Sequence, residues 1–292
     1  MGSRSYSEVA VVMPAFNEAD GLKLVLDKLL NVLPGAQIIV VDDGSSDDTA
    51  AIIKAHPTAR LIQHPNNLGY GAALRTGIEA ASRKYVVWAD ADGQHRPQDI
   101  QAVADQLLGD NLDFCIGVRA EGSYEEPQRK LGKWVLRHAV RLAAGQSLPD
   151  FNSGLRGFRV SVIRKYLHLL PKGFGASTTT SLIMLERNYL AGEVPIFTKE
   201  RLGQSSVRQV RDGMRTLILV LRIFLLFKPM QFFGCMGIVL MVSGLAYGIG
   251  TAIFEGLGFP VLGAVVVLAG LQTLFLGLIM DQVSALRRER FK

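Results

Sequence analysis

Residues 85–99, YVVWADADGQHRPQD, join a short apolar run to an acidic loop and the start of a helical pattern. Tyr85–Ala89 has the length and apolar character of a buried strand, and Pro97–Leu108 has the pattern of a helix. Asp90 and Asp92 lie in the loop between the two. A strand, a polar loop and a helix in this order form the repeating unit of an α/β sheet, so this stretch predicts the fold class.

The same alternation runs through the first 118 residues. Further strands are predicted over Val9–Met13, Gln37–Val41, Arg60–Gln63 and Leu112–Val118, and further helices over Ala19–Leu33, about Asp47–His56 and Gly69–Ser82. Strands that alternate with helices imply crossover connections, and these favour a mostly parallel, Rossmann-like sheet.

Polar clusters fall where the predicted strands end. They cover Pro14–Glu18, Asp42–Ser46 and Asp90–Gln94. In a parallel sheet, ligands bind beyond the carboxyl ends of the strands. The sequence therefore predicts one site that is assembled from three loops.

Asp90, Asp92 and the amide of Gln94 offer oxygen ligands for a divalent cation. Mg²⁺ or Mn²⁺ is commonly held by one or two carboxylates together with substrate phosphates. A D-x-D triplet by itself carries little weight, because it often occurs by chance, and Asp90 could instead cap a turn. Its position after a buried strand of a crossover sheet favours the metal site.

The second acidic pair has two interpretations. Asp42 and Asp43 can accept hydrogen bonds from a base or a ribose, whereas carboxylates in this loop can also cap the following helix. We expect both roles, with Asp42 and Asp43 in binding and Asp47 and Asp48 in capping. Pro14, Ala15, Asn17 and Glu18 face the same crevice.

Charge is divided unevenly along the 292 residues, which carry a formal net charge of +6. Residues 1–118 contain 9 Lys and Arg against 15 Asp and Glu, whereas residues 119–292 contain 23 against 11. A basic segment suggests a nucleic acid or an anionic membrane as its partner. Cys115 and Cys235 are the two cysteines, which excludes a disulfide scaffold and a four-cysteine zinc site.

Two segments in the basic half are amphipathic. Gln128–Ala144 and Val207–Phe227 each combine a stripe of Lys or Arg with a stripe of large apolar residues. This pattern is typical of helices that lie in a membrane interface, although an ordinary surface helix packed on the core is the alternative. Because the basic stripes adjoin apolar ones, the lipid bilayer is the expected partner and nucleic acid is not.

Two charge-free runs follow, Pro229–Phe254 and Gly256–Met280. At about 1.5 Å per helical residue, each is longer than the roughly 30 Å hydrocarbon layer of a bilayer. They predict an antiparallel membrane hairpin with spans at about 230–254 and 258–281. Positive residues flank both outer ends and no signal peptide is recognisable, so the α/β domain and both termini are expected on the cytoplasmic side.

The predicted organisation has three parts. Residues 1–206 form an α/β domain that contains the three-loop site, with an interface helix at about 127–144. Residues 207–228 form a second amphipathic interface helix. Residues 229–292 form the membrane hairpin and a basic cytoplasmic tail.

Seven motifs in the sequence resemble those of a known family. The residues that carry the resemblance are VVMPAFNEAD (11–20), VVDDGSSDDT (40–49), NNLGYGAALRTG (66–77), WADADGQHRPQD (88–99), DFNSGLRGFR (150–159), EVPI (193–196) and RLGQSS (201–206). The first four resemble family 2 glycosyltransferases of the GT-A fold. All of them together resemble the polyprenyl-phosphate glycosyltransferases, which include dolichyl-phosphate mannose synthases and bacterial glucosyl relatives with a two-helix anchor.

The resemblance implies roles for individual residues. Donor binding falls on Pro14, Ala15, Asn17, Glu18, Asp42, Asp43, Asp90, Ala91, Asp92, Gln94 and Arg201. The metal falls on Asp90, Asp92 and Gln94, and the acceptor phosphate on Arg119, Arg129, Ser153 and Arg156. Catalysis falls on Asp90, Asp92, Arg119 and Arg201. Lys133 departs from the family, where a small hydroxyl residue is frequent, so its role stays open.

The resemblance also implies an activity, namely inverting transfer of one hexose from a nucleotide sugar of the GDP-mannose or UDP-glucose type to polyprenyl monophosphate. Because a lipid monophosphate is largely ionised at neutral pH, it needs no general base, and Asp150 is expected to orient or to support rather than to accept a proton. Two alternatives remain: a membrane-anchored transferase with another acceptor, such as a processive polysaccharide synthase, and a non-catalytic membrane scaffold that binds sugar nucleotides. The sequence leaves a homo-oligomer open.

Overall fold

The computed structural model describes residues 5–120, 150, 153–173, 175–198, 225, 228–256 and 258–289. The chain divides into two compact units, Met1–Gly213 and Met214–Lys292. The interface helix expected at about 127–144, nearly all of the segment 207–228, and the domain boundary at residue 206 lie outside the described residues, so they stay predictions.

The first unit alternates strands and helices. Its strands are β1 (Val9–Ala15), β2 (Gln37–Asp42), β3 (Ala59–Gln63), β4 (Tyr85–Trp88), β5 (Phe114–Arg119), β6 (Arg156–Arg159) and β7 (Ala191–Ile196). Its helices are α1 (Ala19–Val32), α2 (Thr49–Ala55), α3 (Tyr70–Ala80), α4 (Pro97–Gly109), α5 (Val160–Ile163) and α6 (Ala176–Glu186), and a 3-10 helix (Arg164–Leu169) follows α5. The elements predicted up to residue 118 are all present, with ends shifted by one or two residues.

The strands form one seven-stranded sheet in the order β3-β2-β1-β4-β6-β5-β7. β1 pairs in parallel with β2 and β4, β2 pairs in parallel with β3, and β5 pairs in parallel with β7. β6 is antiparallel to both of its neighbours, β4 and β5. The mostly parallel α/β sheet expected from the sequence is therefore confirmed, with one reversed strand inserted.

β1 is the point at which the order of strands reverses. From β1 the chain builds outward through β2 to β3, and then it returns to place β4 on the other side of β1. The loops after β1 and β4 diverge at such a reversal and leave a crevice between them, where α/β sheets bind ligands. The loops that follow these two strands carry Pro14–Glu18 and Asp90–Gln94.

Helices cover both faces of the sheet, and β1 divides its side chains between the two. Val11 and Met13 are fully buried in one core cluster with Leu26 of α1. On the opposite face α3 lies so close that a Cβ added at Gly77 would collide with the side chain of Val12. Burial on both faces explains why the strand is a continuous apolar run and not an alternating one.

The second unit is a helical hairpin of α7 (Pro229–Phe254) and α8 (Val261–Glu289). α7 covers the residues predicted for the first span, whereas α8 begins at Val261, after the predicted start at 258, and continues beyond the predicted end at 281. The limits of the spans within these helices stay predictions. Glycines allow the two backbones to approach: a Cβ added at Gly237 would lie 2.8 Å from the carbonyl oxygen of Gly270, and one at Gly244 would lie 3.0 Å from that of Gly263. Such close contacts between small residues are typical of packed membrane helices.

Both helices are long and apolar enough to cross a bilayer. Their most apolar windows have mean hydropathies of 1.9 and 2.3, yet only 22% and 17% of the residues in those windows are buried. The core helix of a soluble protein would be mostly covered by protein, whereas Ile253, Phe254 and Val261 here are 69%, 89% and 81% exposed. The two helices therefore indicate membrane anchoring.

Candidate active site

The loops after β1 and β2 are joined by hydrogen bonds. The backbone N–H of Asn17 donates to Ser45 Oγ at 2.9 Å, and the N–H of Ser46 donates back to Asn17 Oδ1 at 2.9 Å. Asn17 adopts a left-handed backbone conformation with φ of 54°, which asparagine tolerates better than most residues. Two of the three predicted loops thus form a single surface.

Asp47 strengthens the same junction. Its carboxylate accepts hydrogen bonds from the backbone N–H of Thr49, at the start of α2, and from that of Ala19, at the start of α1. Burial raises the pKa of Asp47, but the hydrogen bonds from Thr49 and Ala19 outweigh it and lower that pKa below its usual value. Asp48 occupies the N-cap position of α2 without a capping hydrogen bond from its side chain, so the expected capping falls on Asp47.

The acidic pair at the end of β2 is buried and well satisfied. Asp42 accepts the N–H of Ser45 at 2.9 Å on one carboxylate oxygen and the side-chain amide of Gln63 at 3.0 Å on the other. Asp43 accepts the backbone N–H of Leu68 at 2.9 Å and that of Gly69 at 2.8 Å. Both residues lie at the crevice edge of the sheet, and their predicted contacts with a base or ribose stay predictions.

A histidine that the sequence analysis did not single out also holds Asp43. His64 Nδ1 lies 2.6 Å from Asp43 Oδ1, and His64 Nε2 lies 3.0 Å from Thr76 Oγ1 of α3. Through His64, which follows β3, Asp43 at the end of β2 is thus connected to Thr76 of α3. Because these partners are 12 and 21 residues away from His64, no local pattern marks them.

The third loop carries the D-x-D residues. Asp90 accepts a hydrogen bond from the Tyr70 hydroxyl at 2.8 Å on Oδ1, and its Oδ2 lies 3.8 Å from His95 Nε2. The side chain of Asp90 is 29% exposed. Asp92 is buried, and its Oδ1 accepts the backbone N–H of Gln94 at 3.0 Å. One carboxylate of the pair is therefore accessible at the crevice, and the other lies deeper in the loop.

Two glycines allow the backbone to close around this loop. A Cβ added at Gly21 of α1 would collide with the carbonyl oxygen of Ala91, and one added at Gly154 would collide with Asp90 Oδ2. The tight contact at Gly154 places the segment before β6 directly against the acidic loop. Neither glycine is recognisable as a site residue from the sequence, because the contacts join segments that are far apart in the chain.

Tyr70 is a further site residue that sequence reasoning missed. Burial and the neighbouring Asp90 carboxylate raise the pKa of Tyr70 well above its usual value, because both disfavour a phenolate. The hydroxyl therefore stays protonated and donates to Asp90 throughout the neutral range. Its signal in the sequence is the tyrosine between two glycines in Gly69-Tyr70-Gly71, within the NNLGYGAALRTG motif.

The donor set of the acidic loop fits a magnesium or manganese ion. Within the described ranges, no three His, Cys, Asp or Glu side chains converge into a complete ligand set. Two carboxylates, Asp90 and Asp92, and the amide of Gln94 remain as the oxygen donors on this loop. Proteins commonly supply only one or two of the ligands of Mg²⁺, which takes its other ligands from water and substrate phosphates.

The predicted acceptor residues that the structure describes form a connected group. Arg119, at the end of β5, makes a two-pronged ion pair with Asp150, with both N–O distances 2.6 Å. The backbone N–H of Ser153 donates to the carbonyl oxygen of Asp150 at 3.1 Å, and Arg156 Nε donates to the carbonyl oxygen of Ser153 at 2.8 Å. We call Arg119, Asp150, Ser153 and Arg156 the arginine cluster. Arg129 and Arg201 lie outside the described residues.

The two arginines of this cluster differ in exposure. Arg119 retains 22% side-chain exposure, whereas Arg156 in β6 is completely buried and also donates to the hydroxyls of Thr180 and Ser181 in α6. Burial lowers the pKa of Arg156 to about 9, against the opposing effect of Asp150. Burial also raises the pKa of Asp150, but the ion pair with Arg119 outweighs it and holds that pKa below its usual value. The predicted acceptor roles of Ser153 and Arg156 stay predictions.

Comparison with known proteins identifies the family. Residues 10–167, just over half of the chain, match Glycosyl transferase family 2. The chain belongs to glycosyl transferase family 2. It is therefore a glycosyltransferase, and residues 228–286 of this family 2 enzyme also match the GtrB C-terminal hairpin. The resemblance recognised in the sequence motifs is confirmed.

Similar proteins support the assignment. This family 2 glycosyltransferase is 31% identical to the UDP-N-acetylglucosamine–dolichyl-phosphate N-acetylglucosaminyltransferase of Methanococcus voltae, over 65% of this chain and 85% of the relative. It is 28% identical to the polyprenol monophosphomannose synthase of Mycolicibacterium smegmatis, over 72% of this chain and 86% of that relative.

A solved structure confirms the GT-A fold. Glucosyl-3-phosphoglycerate synthase from Mycobacterium tuberculosis, in complex with Mn²⁺, UDP-glucose and phosphoglyceric acid, superposes with a TM-score of 0.60 at 22% identity. The likeness covers 74% of this chain and 79% of that one. At this level of identity the comparison shows the fold alone.

Proposed function

We propose that this glycosyltransferase transfers a single hexose from a nucleotide sugar to a polyprenyl monophosphate. The observation that carries the proposal is the acidic loop of Asp90, Asp92 and Gln94 at the strand-order reversal, against which Gly154 brings the arginine cluster. The names of the Methanococcus and Mycolicibacterium relatives, which specify dolichyl phosphate and polyprenol phosphate, support a lipid phosphate as the acceptor.

Asp90, Asp92 and Gln94 would hold Mg²⁺ or Mn²⁺. When bound, the ion neutralises charge on the donor diphosphate, which is the leaving group. Asn17, Asp42 and Asp43, on the adjoining loops, are proposed to bind the base and ribose. Arg201 is proposed to contact the same diphosphate.

The acceptor needs charge compensation rather than deprotonation. A phosphate monoester has a second pKa of about 6, so it is largely a dianion at neutral pH and is already nucleophilic. Its approach to an anionic donor is unfavourable unless cations offset the repulsion. Arg119, which is partly exposed at the end of β5, is the described residue best placed to do so, and Arg129 is proposed to assist it.

Asp150 is proposed to orient Arg119 and not to act as a general base. Both of its carboxylate oxygens accept hydrogen bonds from the Arg119 guanidinium, and its pKa is lowered. A carboxylate with a low pKa is a weak proton acceptor. Direct attack of the lipid phosphate on the anomeric carbon would then invert the configuration of the sugar.

The membrane hairpin is proposed to hold the catalytic unit where its acceptor is found. A polyprenyl phosphate keeps its chain in the bilayer and its phosphate at the surface. The positive residues that flank the hairpin, Lys228 before α7 and Arg287 and Arg288 near the end of α8, favour the cytoplasmic face for both ends.

The test is a transfer assay with the full-length protein in nanodiscs that contain polyprenyl phosphate. Radiolabelled UDP-glucose, GDP-mannose and UDP-N-acetylglucosamine are supplied in separate reactions with Mg²⁺ or Mn²⁺. We expect label in the lipid fraction with one donor, and none after chelation of the metal. The absence of labelled lipid with every donor would contradict the proposal, and donor binding without product would favour a sugar-nucleotide-binding scaffold.

A further inference from the structure

Tyr70 lies between two backbone positions that are fixed independently of each other. The N–H of Gly69 donates to Asp43 Oδ2 at 2.8 Å, and the N–H of Gly71 donates to the carbonyl oxygen of Lys172 at 2.9 Å. Gly69 has a φ of 101°, which favours glycine, and a Cβ at either glycine would collide with carbonyl oxygens of the segment Pro171–Lys172. The first residue of α3 is thus held on both sides by its backbone.

The side chain of Tyr70 reaches the acidic loop from this fixed position. Its hydroxyl is 2.8 Å from Asp90 Oδ1, which is a hydrogen bond, whereas His95 Nε2 at 3.8 Å from the other oxygen is beyond that range. Gly154 packs against Oδ2 and limits movement of the carboxylate in that direction. The Tyr70 hydroxyl therefore holds Oδ1 of the Asp90 carboxylate, while Gly154 restricts Oδ2.

We propose that Tyr70 is a positioning residue that holds the Asp90 carboxylate in the orientation for binding the divalent cation and connects it to the Asp43 loop. This inference rests on the proposed function, because it assumes that Asp90 is a metal ligand. Hydrogen-bond partners that orient a ligating side chain typically affect metal affinity by about 10- to 100-fold. Tyr70 would then connect the carboxylate of Asp90, proposed for the metal at the donor diphosphate, to that of Asp43, proposed for the base and ribose.

The dependence of transfer on Mn²⁺ concentration distinguishes a positioning role of Tyr70 from a structural one. If Tyr70 acts through Asp90, Tyr70→Phe raises the Mn²⁺ concentration required for half-maximal transfer, and kcat recovers when Mn²⁺ is saturating. If the hydroxyl only supported the fold, transfer would fall to the same degree at every Mn²⁺ concentration, and the melting temperature would fall with it.

The chain offers a matched control in Tyr85. Its hydroxyl donates to Asn111 Oδ1 at 2.8 Å, the same distance, but at the opposite end of β4 from the acidic loop. Direct Mn²⁺ binding to the full-length protein in detergent is measured by electron paramagnetic resonance of the free ion, which needs no turnover. We expect Tyr70→Phe to weaken Mn²⁺ binding about tenfold, at the lower end of the effect of such partners, with an unchanged melting temperature. Tyr85→Phe should leave the affinity unchanged.

A double-mutant cycle with Asp90→Ala completes the test, because alanine removes the oxygen that accepts the hydrogen bond from Tyr70. If Tyr70 acts through Asp90, adding Tyr70→Phe to Asp90→Ala changes the Mn²⁺ affinity by less than about twofold, because the shared interaction is already lost. Unchanged or tighter Mn²⁺ binding in Tyr70→Phe, with weaker binding in Asp90→Ala, would overturn the role of Tyr70 alone. Unchanged binding in Asp90→Ala would overturn the proposed metal site and this inference together.

Discussion

Gly154→Ala tests whether the Asp90 carboxylate is confined as closely as the structure has it. The added Cβ would lie 3.1 Å from Asp90 Cγ and 3.3 Å from His95 Nε2, and closer still to Asp90 Oδ2. Unstrained contacts of a methyl group lie at about 3.5–4.0 Å, so the carboxylate has to move by a distance on the order of 1 Å. The backbone of Gly154 does not require a positive φ, so the collision is the main consequence of the substitution.

The expected result is a loss of activity with a small loss of stability. The atoms that the methyl group meets are side-chain ends, which can move more easily than backbone, so we expect a destabilisation of about 1 kcal/mol, at the low end for overpacking. Displacement of a reacting group by about 1 Å can lower a rate about 100-fold. We therefore expect kcat/KM for the donor to fall at least about 30-fold, and about 100-fold if the displacement of the carboxylate is fully maintained.

The assay is lipid-linked transfer by the full-length protein at saturating Mn²⁺, together with a thermal melt of the same preparation. Gly109→Ala at the end of α4 is the control, since a Cβ there meets nothing within 4 Å. Full activity in Gly154→Ala would refute the reasoning, because the Asp90 carboxylate would then tolerate a movement that the proposed metal site does not allow.

Three further outcomes follow from the site. Asp92→Ala is expected to abolish transfer while the free energy of unfolding stays within about 2 kcal/mol of the wild-type value. Transfer and thermal unfolding are measured on the same preparation. Asp150→Asn is expected to raise the KM for polyprenyl phosphate more than that for the donor, because the Arg119 guanidinium loses the carboxylate that is proposed to orient it. Equal effects on both substrates would argue against the acceptor role. Since the pKa of Asp150 is lowered in the folded state, its contribution to stability is present above the unfolded pKa and is lost as the pH falls through the folded one. Acid titration of the wild type should therefore show a steeper loss of stability below about pH 4 than Asp150→Asn, and identical curves would contradict this.

The first five strands could be predicted because each has a local apolar segment between polar residues, which in β3 is reduced to Leu61 and Ile62. Val9–Ala15 is one continuous apolar run, which indicates the strand, and the structure shows it buried along its whole length. β6 could not be found in this way. Its four residues are RGFR, and a strand with two arginines gives no apolar signal, since the burial of Arg156 depends on hydroxyls of α6 and on pairing with β4 and β5.

The site shows the same division between local and distant information. The three acidic or polar loops were predicted because strand ends collect at one edge of a parallel sheet. The contacts that orient these loops could not be predicted, because they join residues that are far apart in the chain. Tyr70 and Asp90 are 20 residues apart, and His64 and Asp43 are 21 apart. Gly154 contacts Asp90 because β6 pairs with β4. Composition and spacing identify which residues carry charge, and tertiary structure determines what holds them in position.

The most direct test of the proposed activity is the structure of the lipid product. Full-length protein in nanodiscs is incubated with the nucleotide sugar that it uses, and the extracted lipid is analysed by mass spectrometry and by nuclear magnetic resonance of the anomeric carbon. We predict polyprenyl phosphate that carries one hexose and no more, with an anomeric configuration opposite to that of the donor, and none of it from Asp92→Ala. A ladder of added sugars, retained configuration, or product formed equally well by Asp92→Ala would contradict the account.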